Sequence, residues 1–191
     1  MQSDTVIKRF ESLPEISTSG KRINGLFRLM VSNRLLWEKA YEEIAANPGA
    51  TTAGADGQSL EGFSWAWLPE IMTRLREGNY RFTPAKRIYI PKSHGKGKRP
   101  LGMSGGKDKW IQAVIKLLLE QIYEPVFSEH SHGFRKGRSC HTAVKEIKET
   151  WTGTNWFIDI DIKGFFDNIS QQVLISLLQR KIDDGRFITL I

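Results

Sequence analysis

The sequence has a single cysteine and no long apolar run. Cys140 cannot form an internal disulfide, which agrees with a reducing compartment. No stretch approaches the roughly 18 to 20 uncharged apolar residues that a membrane span needs, and the first residues lack the apolar core of a signal peptide. These absences leave a soluble cytoplasmic protein, without a membrane partner, as the expectation.

The composition indicates a folded chain with one strongly basic region. Hydrophobic residues make up 40% of the 191 residues and aromatic residues 10%, enough to bury a core. Segment 74–116 contains 12 Lys or Arg and two Asp or Glu, whereas the rest of the chain has 16 basic and 19 acidic residues. Such a block is typical of a protein that binds a polyanion, although a solvated basic face has the same composition. Charge alone does not distinguish RNA, DNA and a nucleoside triphosphate.

Apolar periodicity predicts a mostly helical chain with a few strands. The alternating segment KRIYIPK at 86–92, a glycine-containing turn and a return strand from Arg99 predict a basic hairpin. An apolar strand is predicted at 156–162. Helices are predicted from Ile23 to the stop at Asn47-Pro48-Gly49, at 65–76, at 107–123, at 140–151 behind the N-cap Ser139, and after Ser170.

Two aspartates interrupt the predicted strand at 156–162. Alternation places Asp159 and Asp161 on one face, opposite the isoleucines of the same segment. A buried carboxylate is costly unless it is paired or binds a metal ion. Because Mg²⁺ binds a few carboxylates and keeps positions open for substrate phosphates, the pattern favours a phosphoryl-transfer site. The alternative from these residues alone is a solvated edge strand.

Four blocks, in this order, resemble those of group II intron-encoded reverse transcriptases. They are RIYIPKSHGKGKRPLG at 87–102, DKWIQAVIKLLLEQIYEPVF at 108–127, SHGFRKGRSCHTA at 131–143 and DIKGFFDNI at 161–169. The loop ATTAGADGQ at 50–58 is similar to one in the amino-terminal extension of the same family. The resemblance covers residues 24–191, with departures at Met103-Ser104-Gly105 and at Lys136. The blocks at 87–102 and 131–143 favour the intron type over CRISPR-linked or retron-like relatives.

The resemblance implies an α+β fold, in which helix-rich reverse transcriptase fingers with a basic β-hairpin precede the first strand and helix of a palm. Residues 1–22 are polar with weak periodicity and are expected to be flexible. The resemblance divides the rest of the chain into a helical RNA-binding amino-terminal extension at 23–80, fingers at 81–154 and the start of a palm at 155–191. The family's later Tyr-x-Asp-Asp hairpin has no match, since Asp183-Asp184 lacks the tyrosine and is interpreted as a solvated turn. The chain is therefore expected to be a fragment.

The block at 161–169 is implied to hold the metal and the nucleotide. By this resemblance Asp161 is the first catalytic aspartate, which would bind Mg²⁺ together with the backbone carbonyl of Ile162. Phe166 would pack beneath the sugar of the incoming deoxynucleotide and exclude a 2′-hydroxyl. Gly164 and Phe165 would present backbone N–H groups to the phosphates. A core phenylalanine is the alternative for Phe166.

Basic residues of the earlier blocks are implied to bind phosphates. Lys92 and Arg99 would bind the triphosphate, and the alternative for Lys92 is a contact with the template backbone. An internal ion pair is the alternative for one of the two arginines at 131–143. The histidines and cysteine near that loop match no common zinc pattern, so loop and cap roles are expected for them. The residues implied to bind RNA are Lys86, Arg87, Lys96, Lys98, Arg135 and Arg138.

The implied function is that of an RNA-directed DNA polymerase and maturase. The whole protein would bind intron RNA and copy an RNA template from a DNA primer, with deoxynucleoside triphosphates and Mg²⁺. The 191 residues alone are expected to bind RNA without catalysis, and the alternative function is a non-catalytic splicing cofactor. Apolar surface exposed on an incomplete palm makes a homodimer of the fragment a further expectation.

Overall fold

The computed structural model describes residues 2–92 and 97–191. These residues form ten α-helices and one two-stranded antiparallel sheet, which confirms the predicted α+β class. None of the helices in this part of the chain is both long and apolar enough to cross a membrane. The elements are α1 Gln2–Glu11, α2 Leu13–Thr18, α3 Leu26–Ser32, α4 Arg34–Ala45, α5 Trp67–Glu77, β1 Lys86–Pro91, β2 Lys98–Met103, α6 Gly106–Tyr123, α7 Cys140–Thr150, α8 Phe165–Asn168, α9 Gln171–Lys181 and α10 Gly185–Ile188.

The chain divides into two compact units. The first unit comprises Met1–Phe10 and Leu26–Glu120, and the second comprises Glu11–Gly25 and Gln121–Ile191. The boundaries predicted for an extension, fingers and a palm do not follow this division, and they stay a prediction.

Helix α6 supplies the centre of the first unit's core. Trp110, Ile111, Val114 and Leu118 are all 0% exposed. Each fully buried large apolar side chain stabilises the fold by roughly 1.5–3 kcal/mol relative to an exposed one. The apolar stripe read from the sequence therefore marks the buried face of this helix, and the prediction of a helix at 107–123 is confirmed.

The single helix predicted from Ile23 is two helices, α3 and α4, because Asn33 caps the second one. Asn33 has an extended backbone, with φ −114° and ψ 93°, and its side chain accepts a hydrogen bond from the backbone N–H of Leu36. An asparagine that bonds the first turn in this way starts a new helix. Trp37 of α4 is fully buried and donates its indole N–H to the carbonyl of Met30 at 2.8 Å, which joins the two helices.

The segment predicted to be flexible, residues 1–22, instead contains α1 and α2. In the second unit Leu13 is fully buried, and the hydroxyl of Ser17 donates to the carbonyl of Ile122 at 2.5 Å. Lys181 donates its ammonium to the Ser17 carbonyl at 3.0 Å. These partners lie more than a hundred positions away along the chain, so local periodicity did not reveal the burial.

The prediction of a buried strand at 156–162 is wrong for this structure. The segment has no regular secondary structure, and Ile158 and Ile160 are 88% and 81% exposed. A strand needs a partner for its backbone N–H and C=O groups, and the sheet among the described residues contains β1 and β2 alone. Helix α9 forms as predicted after Ser170; in it Leu178 is buried, whereas Leu177 is 46% exposed.

Candidate functional site

The hairpin of β1 and β2 carries cations on both of its faces. Ile88 pairs with Leu101 and Ile90 pairs with Arg99. Because side chains alternate along a strand, Arg99 shares its face with these half-buried isoleucines. The cations of the hairpin strands are all exposed, as a phosphate-binding surface requires, and they are Lys86, Arg87, Lys98 and Arg99.

Lys92, which directly follows β1, is predicted to bind the triphosphate together with Arg99. Lys92 is exposed, and its backbone N–H donates to the carbonyl of Gly97 at 3.1 Å. Alternation carried one residue beyond β1 places Lys92 on the face of Arg99. Both residues are therefore on one side of the hairpin, which is compatible with a shared phosphate ligand. The prediction for Lys96 lies outside the described residues.

A buried carboxylate anchors the segment that leads into β1. Asp108, in the first turn of α6, is 3% exposed and accepts hydrogen bonds from the Tyr80 hydroxyl at 2.7 Å and the Thr83 N–H at 2.9 Å. Burial, with a further contribution from the hydrogen bond to Asp108, raises the pKa of the Tyr80 phenol. The two bonds attach residues 80–83 to the start of α6, and so fix where the hairpin begins.

We expect Tyr80→Phe to destabilise the first unit by about 1–3 kcal/mol, because Asp108 would lose one of its two donors while still buried. Tyr89→Phe is the matched control, since Tyr89 is 60% exposed and should change stability by less than about 0.5 kcal/mol. Urea unfolding measures both. Folding raises the pKa of Tyr80 above 10, its ordinary value. The stabilisation that the Tyr80 hydroxyl provides should therefore be fully present below about pH 10 and be lost progressively as the pH rises above it. Equal stability of the two variants would contradict the anchoring role.

A loop at 49–60 packs on the glycines at the start of α6. The carbonyl of Gln58 accepts hydrogen bonds from the N–H groups of Gly54 at 3.1 Å and Gly106 at 3.2 Å. Lys109 donates its ammonium to the carbonyls of Gly49 at 2.8 Å and Thr52 at 2.5 Å. Burial lowers the pKa of Lys109. The departure from the family pattern at Met103-Ser104-Gly105 lies at this contact.

We expect Gly54→Ala to cost about 1–3 kcal/mol or more, because its Cβ would lie 2.4 Å from the backbone nitrogen and 2.6 Å from the Cα of Gly105. Backbone atoms cannot move aside as a flexible side chain can. Gly62→Ala is the control, because a Cβ there meets nothing within 4 Å. Thermal unfolding compares the two variants, and an unchanged Tm for Gly54→Ala would show that the loop does not pack as described.

Arg135 is held inside the second unit. Its guanidinium pairs with Glu124 at 2.7 Å and donates to the carbonyls of Ser128 and Ser131, both at 2.8 Å. The side chain is 9% exposed, and the hydrogen bond from Arg135 lowers the pKa of Glu124. This is the internal ion pair left open for one of the two arginines. A role of Arg135 in RNA binding stays a prediction.

Several other residues of the loop at 128–139 also have protein partners. Glu146 of α7 accepts from His130 and from His132 (2.8 Å), and these hydrogen bonds lower the pKa of Glu146. Ser139 caps α7, with Thr142 completing a capping box. Arg138 donates to the carbonyl of Glu129. Among the described residues no group of three His, Cys, Asp or Glu could hold a metal ion.

The segment that carries Asp161 is exposed. Asp161 and Ile162 lie in the irregular stretch before α8, and Asp161 makes no hydrogen bond or ion pair with the described residues. A carboxylate that pairs with no cation is available to bind a metal ion, but one carboxylate alone does not make a complete metal site. The assignments to Asp161 and Ile162 stay predictions.

Gly164 sets the geometry of the turn behind Asp161. Its φ of 61° is left-handed, and its carbonyl accepts from the N–H groups of Asp167 and Asn168, both at 3.1 Å. The resulting short helix α8 begins with Phe165 and Phe166, which are 44% and 83% exposed. Phe166 is therefore an accessible ring in this structure and not a core residue. Its nucleotide role, with those of Gly164 and Phe165, stays a prediction.

Asp183 and Asp184, interpreted from the sequence as a solvated turn, lie in the short connection between α9 and α10, where Asp183 is exposed and Asp184 is half-buried. Asp183 pairs with Arg22 at 2.9 Å with its side chain 59% exposed, and Asp184 caps α10 through the N–H of Phe187. Sequence reasoning missed the anchoring residues Asp108, Glu124 and Glu146. A signal existed for Asp108, which is one of only two acids in the basic segment 74–116.

Comparison with known proteins gives consistent matches. Residues 90–184 match the family model described as reverse transcriptase (RNA-dependent DNA polymerase). The chain is 45% identical over 152 residues to the group II intron-encoded protein LtrA of Lactococcus lactis subsp. cremoris, which covers 80% of this chain and 25% of LtrA. It is 40% identical over 188 residues to an uncharacterized 91 kDa protein in the cob intron of Schizosaccharomyces pombe, covering 98% and 23%.

A more distant match is nuclear intron maturase 1, mitochondrial, of Arabidopsis thaliana. The identity is 27% over 201 residues, covering 97% of this chain and 27% of that protein. The chain spans about a quarter of the length of these curated relatives.

Proposed function

Because the chain belongs to the family of group II intron-encoded reverse transcriptases and maturases, we propose that the whole protein binds intron RNA and copies an RNA template into DNA. The observation that carries the proposal is the match of residues 90–184, which contain β2 with its exposed cations and the segment of Asp161. The two halves of the activity, binding and chemistry, depend on different residues.

The binding half depends on exposed cations. Structured RNA is recognised mainly through its shape and phosphates, because side chains cannot reach the base edges in the deep groove of an A-form helix. The exposed cations of β1 and β2 suit this task, and they require no change of fold. Arg138 is half-buried and donates to the carbonyl of Glu129, and Arg135 is engaged with Glu124. The hairpin is therefore the first candidate for the RNA surface.

The chemical half depends on Asp161 and on phosphate-binding groups. The reaction is in-line attack of a primer 3′-hydroxyl on the α-phosphate of a deoxynucleoside triphosphate, and pyrophosphate leaves. Mg²⁺, when bound, stabilises the attacking and leaving oxygens. Asp161 and the carbonyl of Ile162 would hold it, Lys92 and Arg99 would bind the triphosphate, and Phe166 would exclude a 2′-hydroxyl.

A second candidate function concerns the 191 residues by themselves. Their segment 156–162 is unpaired and Asp161 lies in solvent, which favours a chain that binds RNA without polymerising. In the whole protein we propose that later strands pair with this segment and bring Asp161 into a palm.

The experiment that tests the proposal separates the two halves. The 191 residues should bind a structured intron RNA, with an affinity that falls as salt increases because phosphate contacts release counterions. The same sample should extend no primer on an RNA template. RNA binding that is undetectable or independent of salt would contradict the proposed RNA binding. Primer extension by the 191 residues would contradict the proposal that they bind RNA without polymerising.

A further inference from the structure

A cavity of about 320 Å³ lies in the first unit, between the end of α4, the loop at 49–60 and one side of α6. Its walls are apolar and come from Ile44, Ala50, Leu60 and Ala113. Three of these four side chains are less than 10% exposed, so the shape of the cavity is fixed by the core behind it. The volume is at the small end of the roughly 300–1,000 Å³ of ligand sites, which suits one planar group.

The rim of the cavity is polar and carries unused hydrogen-bonding capacity. Asn47 and Gln112 lie there, and their side-chain amides bond to none of the described residues. Each amide offers both a donor and an acceptor. Lys109 and Lys116 complete the rim. The ammonium of Lys109 has three N–H donors and uses two of them for the carbonyls of Gly49 and Thr52, which leaves one for a ligand.

We propose that this cavity holds one unstacked nucleobase of the bound RNA, with the base between the apolar walls, its edge against Asn47 and Gln112, and its phosphate at Lys109. The inference rests on the proposed RNA binding and adds a base-reading site to it. Proteins read RNA sequence from unpaired bases that are packed against side chains and hydrogen-bonded on their edges. The cavity offers both kinds of contact.

Charge favours RNA over a peptide side chain as the occupant. Lys109 and Lys116 belong to segment 74–116, the most basic part of the chain. Lys116 donates to Glu120 at 2.9 Å and its side chain is 60% exposed, so it can turn toward a phosphate. Burial lowers the pKa of Lys109, and an anion beside the ammonium would counteract this effect by stabilising its charged form. A cation of this kind is better matched by a phosphate than by an apolar side chain.

The test compares a short single-stranded RNA of mixed sequence with an abasic ribose-phosphate strand of the same length. The 191-residue chain should bind the RNA about tenfold more tightly than the abasic strand, the scale of one well-held base. Ala113→Phe fills the cavity and should abolish that preference. Gln112→Ala removes one edge contact from an exposed position and should reduce it severalfold. Gln179→Ala, an exposed glutamine on α9, is the matched control and should leave the preference unchanged.

Binding of the abasic strand shows that each variant is folded and separates the possible failures. If Ala113→Phe and Gln112→Ala both keep the preference for the RNA, the base is read elsewhere and the inference is wrong. Equal binding of both strands by the unaltered chain would overturn the inference and leave the proposed RNA binding intact, because phosphate contacts remain. Failure to bind either strand would overturn both.

Discussion

Replacing Asp161 by alanine in the whole protein is expected to reduce DNA synthesis by about 10³-fold or more, because the metal that stabilises charge in phosphoryl transfer would be deprived of a ligand. RNA affinity should stay within about twofold of the original, since a single exposed carboxylate contributes no phosphate contact. Primer extension on an RNA template and filter binding of the same RNA measure the two quantities.

Asp159→Ala is the matched control for this prediction. Asp159 lies two residues away in the same irregular, exposed segment, and the family resemblance gives it no metal. It should retain most of the activity. Equal loss in both variants would indicate a general effect of the segment, and normal synthesis by Asp161→Ala would remove Asp161 from the metal site.

Removing the four cations of the hairpin strands should weaken binding of a structured RNA by about 10²-fold or more at low salt. The variant replaces Lys86, Arg87, Lys98 and Arg99 with alanine. The slope of log affinity against log salt should become shallower by about 0.7 to 0.9 for each RNA phosphate that the variant no longer neutralises. These side chains are exposed, so the fold should persist, which circular dichroism checks.

A charge-matched control uses four exposed cations of the second unit, replaced with alanine: Lys21, Lys145, Lys148 and Arg180. This control lowers the net charge by the same amount. If it weakens binding as much as the hairpin variant does, net charge and not the hairpin surface accounts for the affinity.

Local pattern was enough to predict the elements whose partners lie close by in sequence. The hairpin follows from alternating β-prone residues on either side of one turn, and β1 pairs with β2 as expected. Helix α6 follows from its apolar stripe, which is buried along its length. Ser139 and Ser170 are N-caps, as their positions indicated.

Elements that depend on distant partners could not be predicted in this way. Ser17 is buried and hydrogen-bonded to Ile122 of α6 and to Lys181 of α9, and Leu13 is fully buried, yet nothing in the polar residues around them signals this burial. The strand at 156–162 has strong β propensity, but propensity does not supply a partner strand. A capping residue can also interrupt a helix that apolar periodicity predicts to be continuous. Asn33 does so, because it caps α4 within an otherwise helical apolar pattern.

The sequence indicated which residues of the candidate site are charged, but not which of them are exposed and which are paired inside the protein. The exposed cations of the hairpin agree with a binding surface, whereas Arg135 belongs to an internal network that its basic surroundings did not reveal. Its partner Glu124 precedes Pro125, and nothing else in the sequence around it indicates an ion pair. Arg135 and Glu124 are eleven positions apart, so their pairing depends on how the fold brings them together and not on local composition.

The most direct test of the proposed activity is extension of a DNA primer on an RNA template by the whole protein. With Mg²⁺ and deoxynucleoside triphosphates we expect full-length DNA, and with EDTA in place of the metal we expect none. Absence of synthesis by intact, RNA-binding protein in Mg²⁺ would contradict the proposed activity.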